Sequence, residues 1–446
     1  MKVGGKMKEK IKSLYLLNKK YIKWSFIFTT IVIVLFILVS FIYQNDKLKK
    51  DQKGHLYREI NQKNQNIEIP VFDDSKLNKE IKKYEKQIRK DNQIKKVTYE
   101  LIETNELKQV IWNKKRKDGS LQKDIWLYHK TKKEPLTLKE IFLHWNQEEK
   151  DFILTFLNLE WQRTIRTLTP PIPTDLNIEK ELNDCIKQNS YYFHNEQNDH
   201  YLYFDFQKEE KNYQLKIPFY LLKDRVNWKL LGIKREDEIW LKEYAMNRQV
   251  VAFTFDDGPN PNTTPTLITE FKKRGMNATF FMLGRNVAKY PEVVKMVESN
   301  GFEVGSHTYN HRNLKRSSKE EQSYEIIKTN EEIKNASGKE ATSIRPPYGN
   351  YNDDTISMIE VPIVLWNIDT LDWKYRDANL TYQNSIEKVT DGSIVLFHDI
   401  YYSSIDAAVK MASELYQRGY VLLSVHEMAQ VKNKTLEAKN RYYSIK

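Results

Sequence analysis

Hydrophobic and polar positions change period several times along the chain, and each change predicts a different element. Trp24 to Tyr43 is an uncharged apolar run long enough to cross a bilayer as one helix. It is apolar on every face, which a soluble helix rarely is. A cleaved signal peptide would have a shorter apolar stretch followed by a small-x-small site, and Ser40-Phe41-Ile42-Tyr43-Gln44 offers none, so the run predicts an uncleaved anchor. Residues 44–66 lack periodicity and predict a hydrated stalk or the start of a helix. Leu77, Ile81, Tyr84 and Ile88 recur at helical spacing within Ser75 to Arg89, with Asp73, Asp74 and Ser75 placed to cap. Strands are predicted at Val97 to Ile102, Val110 to Asn113 and Asp124 to His129, the last two joined through Lys117-Asp118-Gly119-Ser120. A helix is predicted over Leu136 to Trp161, with Trp145 and Trp161 as core. Pro170, Pro171 and Pro173 mark a break, and Tyr201 to Gln207 with Tyr213 to Phe219 alternate as a hairpin. Residues 67–245 therefore form an accessory α+β region of one or two domains.

From Arg248 the pattern changes to apolar runs alternating with helical stretches. The runs are Val251 to Phe255, Asn277 to Phe281, Phe302 to Gly305, Ser343 to Arg345, Ile363 to Asn367, Ser393 to Phe397 and Tyr420 to Ser424. Between them lie helical candidates, including Thr264 to Arg274, Pro291 to Ser299, Lys319 to Lys334 and Asp406 to Arg418. Repetition of this kind predicts an α/β fold of parallel βα units, and seven or so strands suggest closure into a distorted (β/α) barrel over 246–435, with 436–446 as a tail. An open doubly wound sheet is the alternative.

Charge and cysteine content refine this layout. The net charge is +12, yet between Met246 and Gln430 the chain has 20 Lys and Arg against 24 Asp and Glu, so the basic excess lies in the N-terminal half. Lysines crowd residues 1–23 but also follow the apolar run. The N-terminus is placed in the cytoplasm chiefly because one early anchor ahead of a long domain is usually translocated. A basic protein outside the membrane meets anionic lipid and anionic wall polymers before nucleic acid. Cys185 is the only cysteine, which excludes an intramolecular disulfide scaffold.

The polar residues of the second half fall where chemistry is built. Asp256 and Asp257 follow the first strand, His307 and His311 the third, Arg345 to Gly349 the fourth, Asp369 and Asp372-Trp373 the fifth, and His398 the sixth. All are at the carboxyl ends of strands, the face on which barrel active sites form. On a helix, the four-residue spacing of His307 and His311 would put both imidazoles on one face.

These residues make up five ordered motifs: Thr254-Phe255-Asp256-Asp257-Gly258-Pro259, Ser306-His307-Thr308-Tyr309-Asn310-His311, Arg345-Pro346-Pro347-Tyr348-Gly349, Asp369-Thr370-Leu371-Asp372-Trp373 and Leu396-Phe397-His398. In them the chain resembles the polysaccharide deacetylases of carbohydrate esterase family 4, those with a NodB homology domain. The resemblance covers roughly the last 185 residues. With the anchor and the N-terminal extension, the layout is similar to that of membrane-anchored peptidoglycan N-acetylglucosamine deacetylases of Gram-positive bacteria. It implies a single-pass protein with an extracellular catalytic domain that removes N-acetyl groups from peptidoglycan glycan strands.

Amide hydrolysis at neutral pH needs an activated water, an electrophile and an acid for the departing amine. Two imidazoles and one carboxylate form a three-ligand set with open positions, so Asp257, His307 and His311 are assigned to a divalent metal, zinc first, with cobalt or nickel able to serve. Asp256 is then free to act as base, and the resemblance implies the same split between the two aspartates. Arg345 would hold Asp256 ionised and oriented. The backbone N–H of Tyr348, after two prolines without N–H groups, is directed at an oxyanion. His398 is expected to be the acid, its pKa raised by a carboxylate, and the resemblance implies Asp372 as that partner. Trp373 and Leu396 are expected to form the apolar pocket for the acetyl methyl, with Asp369 structural. The same motifs would serve deacetylation of chitin oligosaccharides, poly-N-acetylglucosamine or acetyl-xylan. A wall-binding protein without catalysis is disfavoured, because structural zinc sites are usually closed by four protein ligands.

Overall fold

The computed structural model describes residues 48–62, 65–104, 107–167, 177–188, 191–196, 199–208 and 211–446. The expected membrane span Trp24–Tyr43 and the proline-rich break near 170 lie outside them. Among the described residues no helix is long and apolar enough to cross a membrane. The chain divides into two compact units, one ending at Pro135 and one beginning at Leu136.

In the first unit, period-two alternation produces strands β1 (Leu48–Lys50), β2 (Leu56–Gln62), β3 (Gln65–Pro70), β4 (Ile94–Glu103), β5 (Leu107–Arg116), β6 (Leu121–His129) and β7 (Glu134–Pro135). They pair antiparallel except β3 with β4, where Ile67 lies beside Val97 in a parallel register. That parallel step is the crossover of helix α1 (Ser75–Lys90), whose first N–H groups are capped by the Asp74 carboxylate. The predicted face Leu77, Ile81, Tyr84 and Ile88 is buried against Ile67, Ile69, Val97, Val110 and Trp112. Residues 48–62 correct the expectation of a hydrated stalk or the start of a helix over 44–66, since they form strands. Their side chains carry no strong period because β1 is wholly exposed, and what orders them is backbone pairing, β1 on β2 and β2 on β3.

The second unit begins with a short helix at Leu138–Ile141 and helix α2 (Gln147–Thr167), in place of one helix from Leu136 to Trp161. The break has a local cause. Phe142 bridges Val226 in extended geometry, and the Asn146 side chain caps the new helix by accepting from the N–H of Glu149 at 3.1 Å. Trp161 is buried as expected, and Trp145 is half-buried. Strands β8 (Tyr191–Glu196), β9 (Asp199–Lys208) and β10 (Lys211–Pro218) form an antiparallel sheet that includes the predicted hairpin.

The parallel strands follow: β11 (Gln249–Asp256), β12 (Thr279–Met282), β13 (Glu303–Ser306), β14 (Ile363–Val364), β15 (Ile368–Asp369), β16 (Ser393–His398), β17 (Tyr420–Leu422) and β18 (Arg441–Tyr442). Helices α3 (Thr263–Lys273), α4 (Pro291–Ser299), α5 (Lys319–Ser337), α6 (Asp372–Tyr375) and α7 (Tyr402–Gln417) lie between them. β11 is central and buried from Val250 to Asp256, as a strand covered on both faces must be. It pairs with β12 on one side and β16 on the other, and β12 pairs with β13. From β13 a bridge leads from Ser306 to Ile344 and on to Ile363. The stretch opened by Ile363 ends in β15, which pairs back onto β16, so the row of strands closes on itself. The barrel is distorted because Ser343–Arg345 contributes only that bridge and β17 pairs with the first residues of β11.

Two expected boundaries shift. Residues 436–446 are part of the barrel and not a tail: β18 pairs with β14, and Ile445 donates its N–H to the carbonyl of Gly392 at 2.8 Å. Gly392, at φ 80°, leaves space for that approach, since a Cβ there would fall 2.0 Å from the Ile445 carbonyl oxygen. Residues 136–245, expected to group with the accessory region, share the unit of the barrel. The reason is α2: its buried Glu160 accepts from Tyr416 on α7 and pairs with Arg248, and Lys272 on α3 meets Glu148 at 2.9 Å.

Candidate active site

β11 delivers Asp256 as its last residue, 3% exposed, and the chain then turns through Asp257 at φ 74°. Left-handed φ values recur in non-glycine residues around this mouth, at Thr308, His311, Tyr348 and Leu371. Each costs on the order of 1 kcal/mol, and such clusters belong to sites whose geometry the surrounding fold over-determines. The turn is held from outside: the Asn286 side chain donates to the Asp257 carbonyl at 2.8 Å, and Leu283 N–H to that of Gly258 at 2.9 Å.

His307 and His311 are brought together, but not by a helix. Residues 307–311 form a loop beyond β13 in which the left-handed Thr308 and His311 fold the chain back, leaving the imidazole centroids 5.1 Å apart. The loop is tied to α5 through Glu325, buried to 1% exposure, which accepts from Asn310 N–H at 2.6 Å and from its side-chain amide at 2.9 Å. Nδ1 of His307 lies 2.6 Å from the Arg345 carbonyl, which can only accept, so Nδ1 carries the proton and Nε2 presents its lone pair to the mouth. Burial pushes His307 down to about 3, keeping it neutral.

Asp257 Oδ1 lies 3.7 Å from His307 Nε2 and 3.5 Å from His311 Nε2. One ligand atom from each of the three residues lies within 4.8 Å of the others. Asp257 Oδ1 is also buried without a hydrogen-bond partner. An orphaned carboxylate oxygen facing two imidazoles, one of them fixed as a neutral donor, is a set that fits a divalent metal. The His311 ring is backed edge-on by Tyr348, whose own side chain is 62% exposed.

Beside this set, Asp256 is held by Arg345, which is fully buried. The guanidinium donates to Asp256 Oδ1 at 2.8 Å, Thr254 Oγ1 at 2.8 Å, and the carbonyls of Val364 and Leu365 at 3.0 and 2.9 Å. Asp256 Oδ2 is left pointing toward His307 Nε2 at 3.6 Å. Burial pushes the Asp256 carboxyl above its ordinary range, and the charges of Arg345 and His398 offset only part of that. Arg345 therefore anchors Asp256, but the expectation that it holds the carboxyl ionised is corrected: burial outweighs the guanidinium, and the carboxylate is a stronger base than a solvated one.

At the end of β16, His398 Nδ1 is 2.9 Å from Asp372 Oδ1, and the His398 N–H donates to Asp372 Oδ2 at 2.7 Å. Burial alone would lower the imidazole pKa, but Asp372, with the charges of Asp256 and Asp257, pushes it up to about 9. Trp373 donates its N–H to Asp372 Oδ1 at 2.8 Å and its side chain is 47% exposed. Leu396 is buried within β16 at 4% exposure. Asp369 accepts from Leu371 N–H at 2.9 Å, a local turn contact.

Three residues of the site had been given no role from the sequence. Thr254 and Glu325 position Arg345 and the histidine loop. Asp399, fully buried after His398, accepts from the Thr264 hydroxyl beneath Gly258, and burial pushes its carboxyl up to about 7. Glu325 had a readable signal: with Gln322, Thr329 and Ile333 it forms a buried stripe at helical spacing that is mostly polar.

Residues 243–360 match the family model described as polysaccharide deacetylase. The chain is 40% identical over 193 residues to the peptidoglycan-N-acetylmuramic acid deacetylase PdaC of Bacillus subtilis, covering 43% of this chain and 41% of that protein. It is 36% identical over 184 residues to the peptidoglycan-N-acetylglucosamine deacetylase PgdA of Listeria monocytogenes, covering 41% and 40%. To a peptidoglycan-N-acetylglucosamine deacetylase of Bacillus cereus it is 34% identical over 204 residues, covering 43% of this chain and 74% of that protein. The match thus spans about two fifths of the length of the first two relatives.

Proposed function

This chain belongs to the polysaccharide deacetylase family, and from that premise we propose that it hydrolyses N-acetyl groups of N-acetylglucosamine residues in cell-wall peptidoglycan, releasing acetate and leaving glucosamine. The observation that carries the reading is the convergence, at one strand mouth, of a buried Asp–Arg pair, a buried Asp–His pair and a three-ligand set.

Asp257, His307 and His311 hold a divalent metal, zinc in this reading, with cobalt or nickel as substitutes. What such an ion supplies is Lewis acidity toward a carbonyl oxygen and a water that ionises near neutral pH. Asp256, anchored through Oδ1, takes the proton of the attacking water on Oδ2, and its pKa, raised by burial, makes it a stronger base than a solvated carboxylate. The Tyr348 N–H, the first available after Arg345 in a Pro-Pro stretch, donates to the developing oxyanion. His398, with Nδ1 committed to Asp372, gives the proton on Nε2 to the departing sugar nitrogen, so acetate and a free amine result. Trp373 and Leu396 flank the acetyl methyl, Trp373 from the surface and Leu396 from the strand.

The Bacillus subtilis relative is named for N-acetylmuramic acid, which supports the second sugar of the same polymer as an alternative substrate. Acetate release from purified peptidoglycan, chitin oligomers and acetylated xylan, followed by identification of the deacetylated sugar, tests the reading. Release from xylan alone would overturn it. The location proposed with it is a single-pass anchor at Trp24–Tyr43, with the N-terminus cytoplasmic and the catalytic unit outside. It fails if external protease leaves that unit intact until the membrane is opened.

A further inference from the structure

The one-turn helix α6 that carries Asp372 and Trp373 is closed on both sides by left-handed non-glycine residues, Leu371 at φ 56° and Arg376 at φ 49°. Arg376 donates its N–H to the Asp372 carbonyl at 2.9 Å, which fixes its backbone to the acid pair. Its exposed guanidinium lies 4.7 Å from the ring centroid of Tyr401 and donates from Nη2 to the Tyr401 hydroxyl at 3.2 Å. Tyr401 follows three residues after His398. The Arg376–Tyr401 contact therefore joins at the surface the same two loops that Asp372–His398 joins in the interior.

This cation is used differently from four other arginines of the same unit. Arg345, Arg248, Arg225 and Arg418 each face a carboxylate. Arg376, among the described residues, makes no ion pair, and the adjacent Asp377 spends its Oδ1 on the N–H of Leu380. A guanidinium stacked on a ring keeps its planar fork preorganised while donors stay open for a bidentate acceptor. Carboxylate is the chemistry that fork matches.

We propose that Arg376, seated on Tyr401 beside the acid pair, binds a carboxylate of the substrate, so that this site takes an acidic N-acetylated glycan in preference to a neutral one. The inference rests on the deacetylase reading of the site and names its substrate class. The sugar geometry agrees. In the polymer the N-acetylglucosamine whose nitrogen His398 protonates is linked to a muramic-type sugar, and the lactyl ether on carbon 3 of that neighbour brings a carboxylate within one sugar of the reacting nitrogen. A peptide stem on that lactyl group would offer carboxylates of its own.

The test is calorimetric titration of the zinc-loaded, detergent-solubilised full chain with three glycans of equal length. They are a neutral chitin tetramer, a peptide-free tetramer alternating N-acetylglucosamine and N-acetylmuramic acid, and that tetramer with peptide stems. An acidic glycan should bind about tenfold more tightly than the neutral one, as one charge-assisted pair allows, and the advantage should shrink with added salt. Arg376→Gln should remove the advantage and Arg376→Lys should keep part of it. Preference for the peptide-free tetramer assigns the lactyl carboxylate, and preference only for the stem-bearing one assigns the peptide. Equal affinity for all three, or an advantage that survives Arg376→Gln, overturns the proposal. Acetate release from the same samples is scored separately: no release from any glycan counts against the deacetylase reading, while the binding ratio alone decides carboxylate recognition.

Discussion

Each unit buries a carboxylate against a cation, and the two burials differ in where in the fold they sit. In the first unit Asp124 on β6 accepts from the Tyr84 hydroxyl and from Lys114 Nζ at 2.9 Å, beneath the aromatic cluster of Tyr84, Trp112 and Trp126. Those partners come from α1 and β5, so the contact ties one helix to its sheet. In the second unit Asp256 is bound through Oδ1 to Arg345, yet its Oδ2 faces His307 at the open end of the barrel, next to an Asp257 oxygen with no partner. Burial and a counter-charge are common to both. What separates a working carboxylate from a structural one is its place at the carboxyl end of a parallel strand, with an acceptor still directed at that mouth.

The sharpest way to break this comparison is to neutralise both carboxylates. Asp256→Asn should lower turnover by on the order of 10² to 10⁴-fold while the protein still binds metal. Asp124→Asn should leave turnover per folded molecule unchanged and lower only the melting temperature. Equal turnover losses in the two variants would mean that the distinction is false. Metal content sharpens it further. Asp257→Ala should lose zinc by elemental analysis and regain part of its activity at high metal concentration. A metal-free Asp256→Asn beside a metal-replete Asp257→Ala would exchange their roles.

Stability offers a smaller contrast. Arg345→Met strands a fully buried carboxylate, which should cost about 3–5 kcal/mol in urea unfolding. Lys114→Met should cost less, because Asp124 keeps the Tyr84 hydroxyl. The acid pair gives a pH signature with a definite sign. His398 must be protonated to donate, and its pKa is pushed up to about 9, so the alkaline limb of turnover should fall as pH rises through that value, the acid limb belonging to protonation of Asp256. In Asp372→Asn the partner charge is gone and burial dominates, so the alkaline limb should move down; an unmoved limb would assign it to another group. The smallest effect is expected from deleting residues 48–135, which should leave turnover on a soluble oligosaccharide within about twofold, since every residue of the site lies in the other unit.

Much of the site was legible because parallel strands write themselves as apolar runs ending in polar residues. Asp256, Arg345 and His398 could be placed at strand ends from β11, the Ile344 bridge and β16 alone. The spacing of His307 and His311 was informative for a different reason than expected: four residues span one helical turn, but also a loop bent by two left-handed residues. Asp399 went unnoticed and Thr254, named only as part of a motif, received no role, because their partners, Thr264 and Arg345, are distant in sequence and nothing local marks a buried hydroxyl or carboxylate. β1 and β18 were invisible for want of length and apolar content, since three or two residues held by backbone pairing leave almost no side-chain pattern.

Glu160 has a consequence for how this protein can be inherited. The family match begins at residue 243, whereas the carboxylate that neutralises Arg248 and receives the Tyr416 hydroxyl belongs to α2, more than eighty positions upstream. A recombination event that crossed over at the start of the match would carry every catalytic side chain into a new host and leave Glu160 behind. The transferred barrel would arrive with Arg248 short of its counter-charge and with the faces of α3 and α7 that pack against α2 bare. The heritable module of this chain is therefore longer than its signature, and helix and barrel are expected to descend as one piece.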